Sequence, residues 1–253
     1  MKITFLGTGT SQGVPVIACQ CAVCKSLDLH DKRLRSSVLI EVNGTHIVID
    51  SGPDFRQQML VNDVRKLDGI LFTHEHKDHT AGLDDVRAFN WVTQSPVNVF
   101  AEKRVLSALK VEFSYAFDPK PYPGVPKINL NVIDEKPFQI NGVHVIPIRG
   151  MHMNLPVLGF RIGDFSYLTD FNYISDESLN KVKGSKVIAL NAVRKEPHIS
   201  HYCLSEAVEV LQKAKPEMGL VTHMSHQLGL YAEENPLLPP GIQLAYDNLV
   251  LEI

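Results

Sequence analysis

Three histidines and one aspartate crowd the segment His74-Glu75-His76-Lys77-Asp78-His79, directly after the apolar run Gly69–Thr73. In an extended strand, alternate side chains would point to opposite faces. A strand-to-helix turn would instead gather them at one point. Imidazole and carboxylate are ligands that suit zinc, manganese or iron. A second group is Cys19-Gln20-Cys21-Ala22-Val23-Cys24. C-x-C-x-x-C offers three thiolates and leaves a tetrahedral zinc one ligand short. His226, three residues after His223, is the expected fourth. A closed Cys3His site is structural rather than catalytic. It would pin the loop at about 14–30 to the C-terminal region. Cys203 stands apart and reads as an ordinary semi-buried cysteine.

The elements that must position these groups alternate between strands and helices. Strands are expected at 2–6, 37–42 and 45–50, with Asn43-Gly44 as a two-residue hairpin turn. A helix over 53–64 with Pro53 near its start precedes the strand 69–73. Helical spacing runs from 79 to about 92 and from 102 to about 113. Four prolines between 118 and 126 mark a loop, read as a lip over a site. Strands follow at 128–133, 138–148 with Asn141-Gly142 as a turn, 159–169, 187–190 and 219–222. The helix 205–213 takes Ser205 as its cap. Residues 243–252 read as a closing hairpin around Asp247-Asn248. Strands cluster toward both ends with helices between, and no repeat or linker interrupts them. One domain over 1–253, with two sheets and outer helices, fits this order.

Composition sets the outer bounds. The 253 residues carry a formal net charge of −3, with 44% hydrophobic and 21% charged residues. That usage excludes a disordered or fibrous chain. No apolar run reaches the roughly 18 residues of a membrane span. Met1–Gly7 reads as a first strand rather than a signal peptide. The acidic balance gives no general attraction to a phosphate backbone, so nucleic acid is not the expected partner. Four cysteines, three of them within six positions, are not a disulfide framework, and a reducing cytoplasm is expected.

His74-x-His76-x-Asp78-His79 resembles the H-x-H-x-D-H signature of the metallo-β-lactamase superfamily. The resemblance extends from Phe5-Leu6-Gly7-Thr8-Gly9 to Leu244-Ala245-Tyr246-Asp247. It implies an α/β fold, the αββα sandwich of two mixed sheets flanked by helices. It also matches His152, Asp170 and His223, each closing an apolar strand, to the family's remaining ligands. The implied arrangement holds two divalent ions, zinc or manganese. His74, His76 and His152 would hold one, and Asp78, His79 and His223 the other, with Asp170 bridging. A hydroxide between them would be the nucleophile. A bound ion lowers the pKa of water to about 7, and a pair of ions neutralises charge growing on a phosphoryl group. The cysteine clip with Thr222-His223-Met224-Ser225-His226, and Gly82-Leu83-Asp84-Asp85-Val86-Arg87, resemble the PhnP branch, named for a cyclic phosphodiesterase. That branch implies a structural zinc and a homodimer.

In the phosphodiesterase branches a histidine six residues ahead of an alanine sits beside the metals. His201, ahead of Ala207, matches it and is implied to donate a proton to the leaving alkoxide or to bind a phosphoryl oxygen. His198 competes for the role. Asp78 and His201 are thus the expected catalytic residues. Asp54 is a candidate to orient a ligating histidine. Asp84 and Arg87 can pair on a helix face or line the site. Arg149 is read as a solvated surface residue, with phosphate binding as the alternative. His30, His46 and His144 read as ordinary, and Phe89 and Trp91 as packing residues. The expected function is a metal-dependent phosphodiesterase acting on a small or cyclic ester. Ribonuclease Z-like RNA processing and thioester or lactone hydrolysis are the alternatives on the same site.

Overall fold

The computed structural model describes residues 1–253. The first sheet holds β1 (Lys2–Gly7), β2 (Ser37–Val42), β3 (Thr45–Ile49), β4 (Gly69–Leu71), β5 (Val97–Ala101) and β6 (Ile128–Val132) in that spatial order. The second is built from β7 (Phe138–Ile140), β8 (Val143–His152), β9 (Leu155–Ile162), β10 (Phe165–Leu168), β11 (Tyr173–Ile174), β12 (Val187–Asn191), β13 (Met218–Thr222) and β14 (Ile242–Leu244). Its order is β11-β8-β9-β10-β12-β13-β14, with β7 paired to β8. The last strand, β15 (Val250–Glu252), returns to the first sheet beside β1. Both sheets are mixed. Antiparallel pairing gives way to parallel pairing at β3-β4-β5-β6 and at β10-β12-β13-β14.

The helices are α1 (Ala22–Lys25), α2 (Phe55–Val61), α3 (Lys77–Thr80), α4 (Arg87–Thr93), α5 (Lys103–Glu112), α6 (Asp176–Val182), α7 (Leu204–Ala214) and α8 (Tyr231–Glu234). Period-two alternation decides which layer each strand residue joins. Ile47 and Ile49 of β3 face the 20-residue core between the sheets, and Val48 faces outward. Outward residues of the first sheet meet Phe55, Met59, Phe89, Val105 and Leu109 from α2, α4 and α5. Outward residues of the second meet Leu179 and Val182 of α6 and Leu211 of α7. These three clusters build the expected αββα sandwich.

Several local expectations are corrected. The segment 159–169 is two antiparallel strands, β9 and β10, turned at Gly163. The closing hairpin does not form. β14 pairs parallel with β13 in the second sheet and β15 pairs with β1 in the first, so the Asp247-Asn248 turn crosses between layers. The helix expected over 79–92 is broken into α3, a 3-10 turn (Leu83–Val86) and α4. Ser51 causes the break. Its N–H donates to His79 O at 2.8 Å and its carbonyl accepts from Gly82 N–H at 2.8 Å. Gly52 and Gly82 permit this approach, because a Cβ on either would collide with a facing carbonyl oxygen. Trp91 is 70% exposed rather than packed, while Phe89 is buried. The cap of α7 is Cys203, not Ser205. Its N–H donates to Glu206 Oε2 at 2.8 Å in a capping box. Asn43-Gly44 and Asn141-Gly142 both turn as expected, with positive φ at all four residues.

Candidate metal centre

Parallel strands put their C-terminal ends on one rim, and loops leaving that rim carry the reactive side chains. Asp50 follows β3, His74–His79 follow β4, Asp170 follows β10 and His223 follows β13. His152 ends β8, where the edge strand β11 pairs with it. Asp50, Asp170 and His223 all adopt left-handed backbone, with φ of +63°, +63° and +53°. That conformation is uncommon outside glycine and costs of order 1 kcal/mol or more. It turns each side chain off the strand direction toward the shared rim.

The structure brings the predicted residues together in two adjoining groups. Candidate ligand atoms of His74, His76 and His152 lie within 4.8 Å of one another. Those of Asp78, His79, Asp170 and His223 do likewise. Asp170 is common ground: Oδ1 stands 3.3 Å from His79 Nε2 and 3.2 Å from His223 Nδ1, and Oδ2 lies 3.9 Å from His74 Nε2. The residues fit cations. Nε2 of His74 and of His79 are fully buried without a hydrogen-bond partner. Leaving a buried donor or acceptor unpaired costs about 1–3 kcal/mol. Both nitrogens face carboxylates, and an ion among them supplies the missing partner.

Outer contacts fix the rings. His79 Nδ1 donates to Asp50 Oδ2 at 2.7 Å. His152 Nδ1 donates to Ser200 O at 2.6 Å. Thr73 Oγ1 lies 3.0 Å from His74 Nδ1 and donates to Asp50 Oδ2 at 2.9 Å. Asp50 therefore orients two histidines, one directly and one through a hydroxyl. Such outer partners set which ring nitrogen is free to bind a metal. Asp54, the candidate for this task from the sequence, does not perform it. Asp54 instead accepts from the Arg35 backbone N–H at 2.8 Å and pairs with its guanidinium. The available signal was an aspartate at the end of an apolar strand, before a tight Ser51-Gly52 turn.

Charge state follows burial and neighbours. Burial raises the Asp170 carboxyl, yet His223, His79 and the contact from His201 outweigh it and hold it well below the usual range. Burial lowers the His79 imidazole, but Asp170, Asp78 and Asp50 overcome this and raise it well above its ordinary value. His74 is pushed well down by burial and by His79. Burial brings His223 to about 4.

His201 lies at the same rim. Its Nε2 is 3.2 Å from Asp170 Oδ2. Its Nδ1 is 3.1 Å from Ser200 Oγ and 3.3 Å from His198 Nδ1. Of the two candidates, His201 touches Asp170, and His198 stands behind it. Arg149 is neither solvated nor free for phosphate. Glu102 holds it through two hydrogen bonds, of 3.0 and 2.5 Å, and Glu135 through one of 3.0 Å. Asp84 pairs with Arg87 and accepts from the Tyr115 hydroxyl.

The cysteine loop forms its own group. Sγ of Cys19 and of Cys21 are each 3.3 Å from His226 Nδ1, and Cys24 completes a set within 4.8 Å. Bond lengths to zinc of about 2.3 Å for sulfur and 2.0–2.1 Å for nitrogen put tetrahedral ligands roughly 3.6 Å apart. The four residues fit such an ion. The Cys24 N–H and His226 bring the Cys21 thiol down to about 6, while burial pushes Cys24 up to about 11.

Comparison with known proteins places these groups in context. Residues 45–224 match the β-lactamase superfamily domain. The chain is 42% identical over 253 residues to the octanoyltransferase of Porphyromonas gingivalis, covering 98% of this chain and 51% of that one. It thus spans about half the length of that relative. A crystal structure of a diphosphatase from the PhnP family superposes with a TM-score of 0.93 at 39% identity, covering 100% of this chain and 97% of the other. Ribonuclease Z of Nanoarchaeum equitans is 24% identical over 173 residues, which is 64% of this chain and 53% of that protein.

Proposed function

From the premise that the chain belongs to the metallo-β-lactamase superfamily of hydrolases, we propose that it is a phosphodiesterase of the PhnP branch. Its substrate is a small or cyclic phosphate diester, a diphosphate-linked one included. The observation that carries this reading is His201 Nε2 beside Asp170 at the rim of the histidine and aspartate cluster.

His74, His76 and His152 would hold one divalent ion, and Asp78, His79 and His223 a second, with Asp170 between them. When bound, such ions acidify a water and offset negative charge on the phosphoryl oxygens. The remaining work belongs to the protein. Asp50, Thr73 and Ser200 fix the histidine rings before substrate arrives. His201 delivers the proton from Nε2 to the leaving oxygen as the P–O bond breaks. Its Nδ1 faces His198 and Ser200, which hold the ring in place. Cys19, Cys21, Cys24 and His226 would hold a structural zinc apart from the reaction. The octanoyltransferase activity of the Porphyromonas relative does not enter this reading, because the chain spans only about half of that protein's length.

Ribonuclease Z-like processing is the second reading, on the similarity to the Nanoarchaeum enzyme. The net charge of −3 weighs against it. The test is a turnover screen on metal-loaded protein, with Asp78→Ala as control. It sets a bis-aryl phosphodiester, a ribosyl cyclic phosphate and a nucleoside diphosphate ester against unprocessed tRNA and a glutathione thioester. Turnover of the small esters, lost in the control, is expected. Turnover of the tRNA or thioester alone overturns the reading.

A further inference from the structure

Two segments that end at the metal cluster carry exposed apolar side chains. Met153 follows His152 and is 51% exposed. Ile199 precedes Ser200, whose carbonyl binds His152, and is 78% exposed. Asn172 ties the segments together: its Oδ1 accepts from Met153 N–H at 2.9 Å and its Nδ2 donates to Ile199 O at 3.1 Å. The Asn172 N–H also donates to Met151 O at 2.8 Å. Both ends of the carboxamide are therefore taken by backbone, and it holds two turns at a fixed separation.

We propose that Met153 and Ile199 form an apolar lip that binds the leaving group of the substrate, and that this group is apolar. The inference rests on the phosphodiesterase reading above. There His201 protonates the leaving oxygen, so that oxygen lies at its Nε2. The group attached to it then extends toward the segments that carry His201 and His152, on which Ile199 and Met153 are exposed. Exposed apolar side chains at the mouth of a polar site mark a ligand contact rather than ordinary surface. The Met153 and Ile199 side chains offer apolar area and no charged group, so the lip selects for apolar leaving groups such as aryl groups.

The test uses metal-loaded protein and two readouts. Calorimetry compares phenyl phosphate with methyl phosphate. Kinetics compares aryl diesters whose leaving phenols have matched acidity and carry either an apolar or an anionic substituent. Wild type should bind phenyl phosphate at least about tenfold more tightly, the scale of about one methylene in an apolar site. The double variant Met153→Gln, Ile199→Gln should bring that ratio to within twofold of unity while methyl phosphate affinity holds. Asn172→Ala, which frees the two turns, should lower the ratio in part. Equal affinities in wild type overturn the lip. So does an unchanged ratio in the double variant, including the case where light scattering shows that it has lost a subunit contact instead. If phenyl phosphate is preferred but no diester turns over, the lip stands and the phosphodiesterase reading falls. If diesters turn over without the preference, the reading stands and the lip falls.

Discussion

The metal-centre residues and the cysteine clip come within three positions of each other at His223 and His226, yet they are built differently. In the first, Asp50, His74, His79, Asp170 and His223 are buried, and the orienting contacts come from strand ends on both sheets. In the second, Cys19 and Cys21 are half-exposed on a loop, and the cluster packs only Val14, Val23 and Cys24 as buried apolar residues. Orienting contacts there are local: the Val16 N–H donates to Cys24 Sγ and the Cys24 N–H to Cys21 Sγ. The rim cluster is held by the sandwich and leaves a face toward solvent at His76 and His201. The clip, by contrast, packs few buried apolar residues around its four donors, so an ion there would act as a core. The comparison teaches that the rim's geometry is positioned by the fold, whereas an ion bound at the clip would position its loop.

The sharpest way to break this contrast is Asp170→Asn. It should abolish turnover, by more than about a thousandfold, and reduce the metal content of the rim, with the circular dichroism spectrum unchanged. His201→Ala comes next. Hydrolysis of esters with poor leaving groups should fall by about 10²–10⁴, and that of activated aryl esters far less. An equal loss on both would remove His201 from proton transfer. Asp50→Asn should weaken rim metal affinity by about 10–100-fold, read by competition with a chelator, and leave the clip's metal in place. Cys21→Ser should do the reverse. The clip metal is lost and the melting temperature falls by several degrees, while turnover of rim-loaded protein stays within a fewfold.

The smallest effect tests the brace between the two regions. Asp247 accepts from the Thr8 N–H and hydroxyl and from the Leu34 N–H, and Arg33 donates to Thr8 and to Ala245 O beside it. Burial raises the Asp247 carboxyl from its ordinary 3.8 to about 6. The folded chain therefore holds this proton more tightly than the unfolded chain does. The contribution is complete below about pH 4 and is lost as pH rises through about 6, by at most about 3 kcal/mol. Urea unfolding across that window should show the decline in wild type and a flatter profile in Asp247→Asn.

Much of the rim was legible because its densest part is local. His74, His76, Asp78 and His79 occupy one turn, and their spacing alone marks them. His152, Asp170 and His223 stood out only as residues closing apolar strands, through resemblance to a family pattern. Asp50 was missed for a physical reason. An aspartate that supports a histidine has no spacing rule, since its partner lies 29 residues away and is reached by strand pairing. The broken helix at Gly82 was missed because periodicity records which side chains are apolar, not that Ser51 would bond the backbone of His79 and Gly82. Trp91 misled in the same way: helical spacing gave it a face, but no layer covers that face.

The sequence by itself determined the strand alternation, the Asn-Gly turns, the two ligand-rich segments and the layered class, because each depends on neighbours within a few residues. Only the tertiary structure decided that 243–252 splits between two sheets, that Arg149 is held by two glutamates, and that His201 rather than His198 meets Asp170. Those outcomes depend on which strand ends share a rim. That is set by packing between distant segments, where burial and hydrogen bonding are settled together.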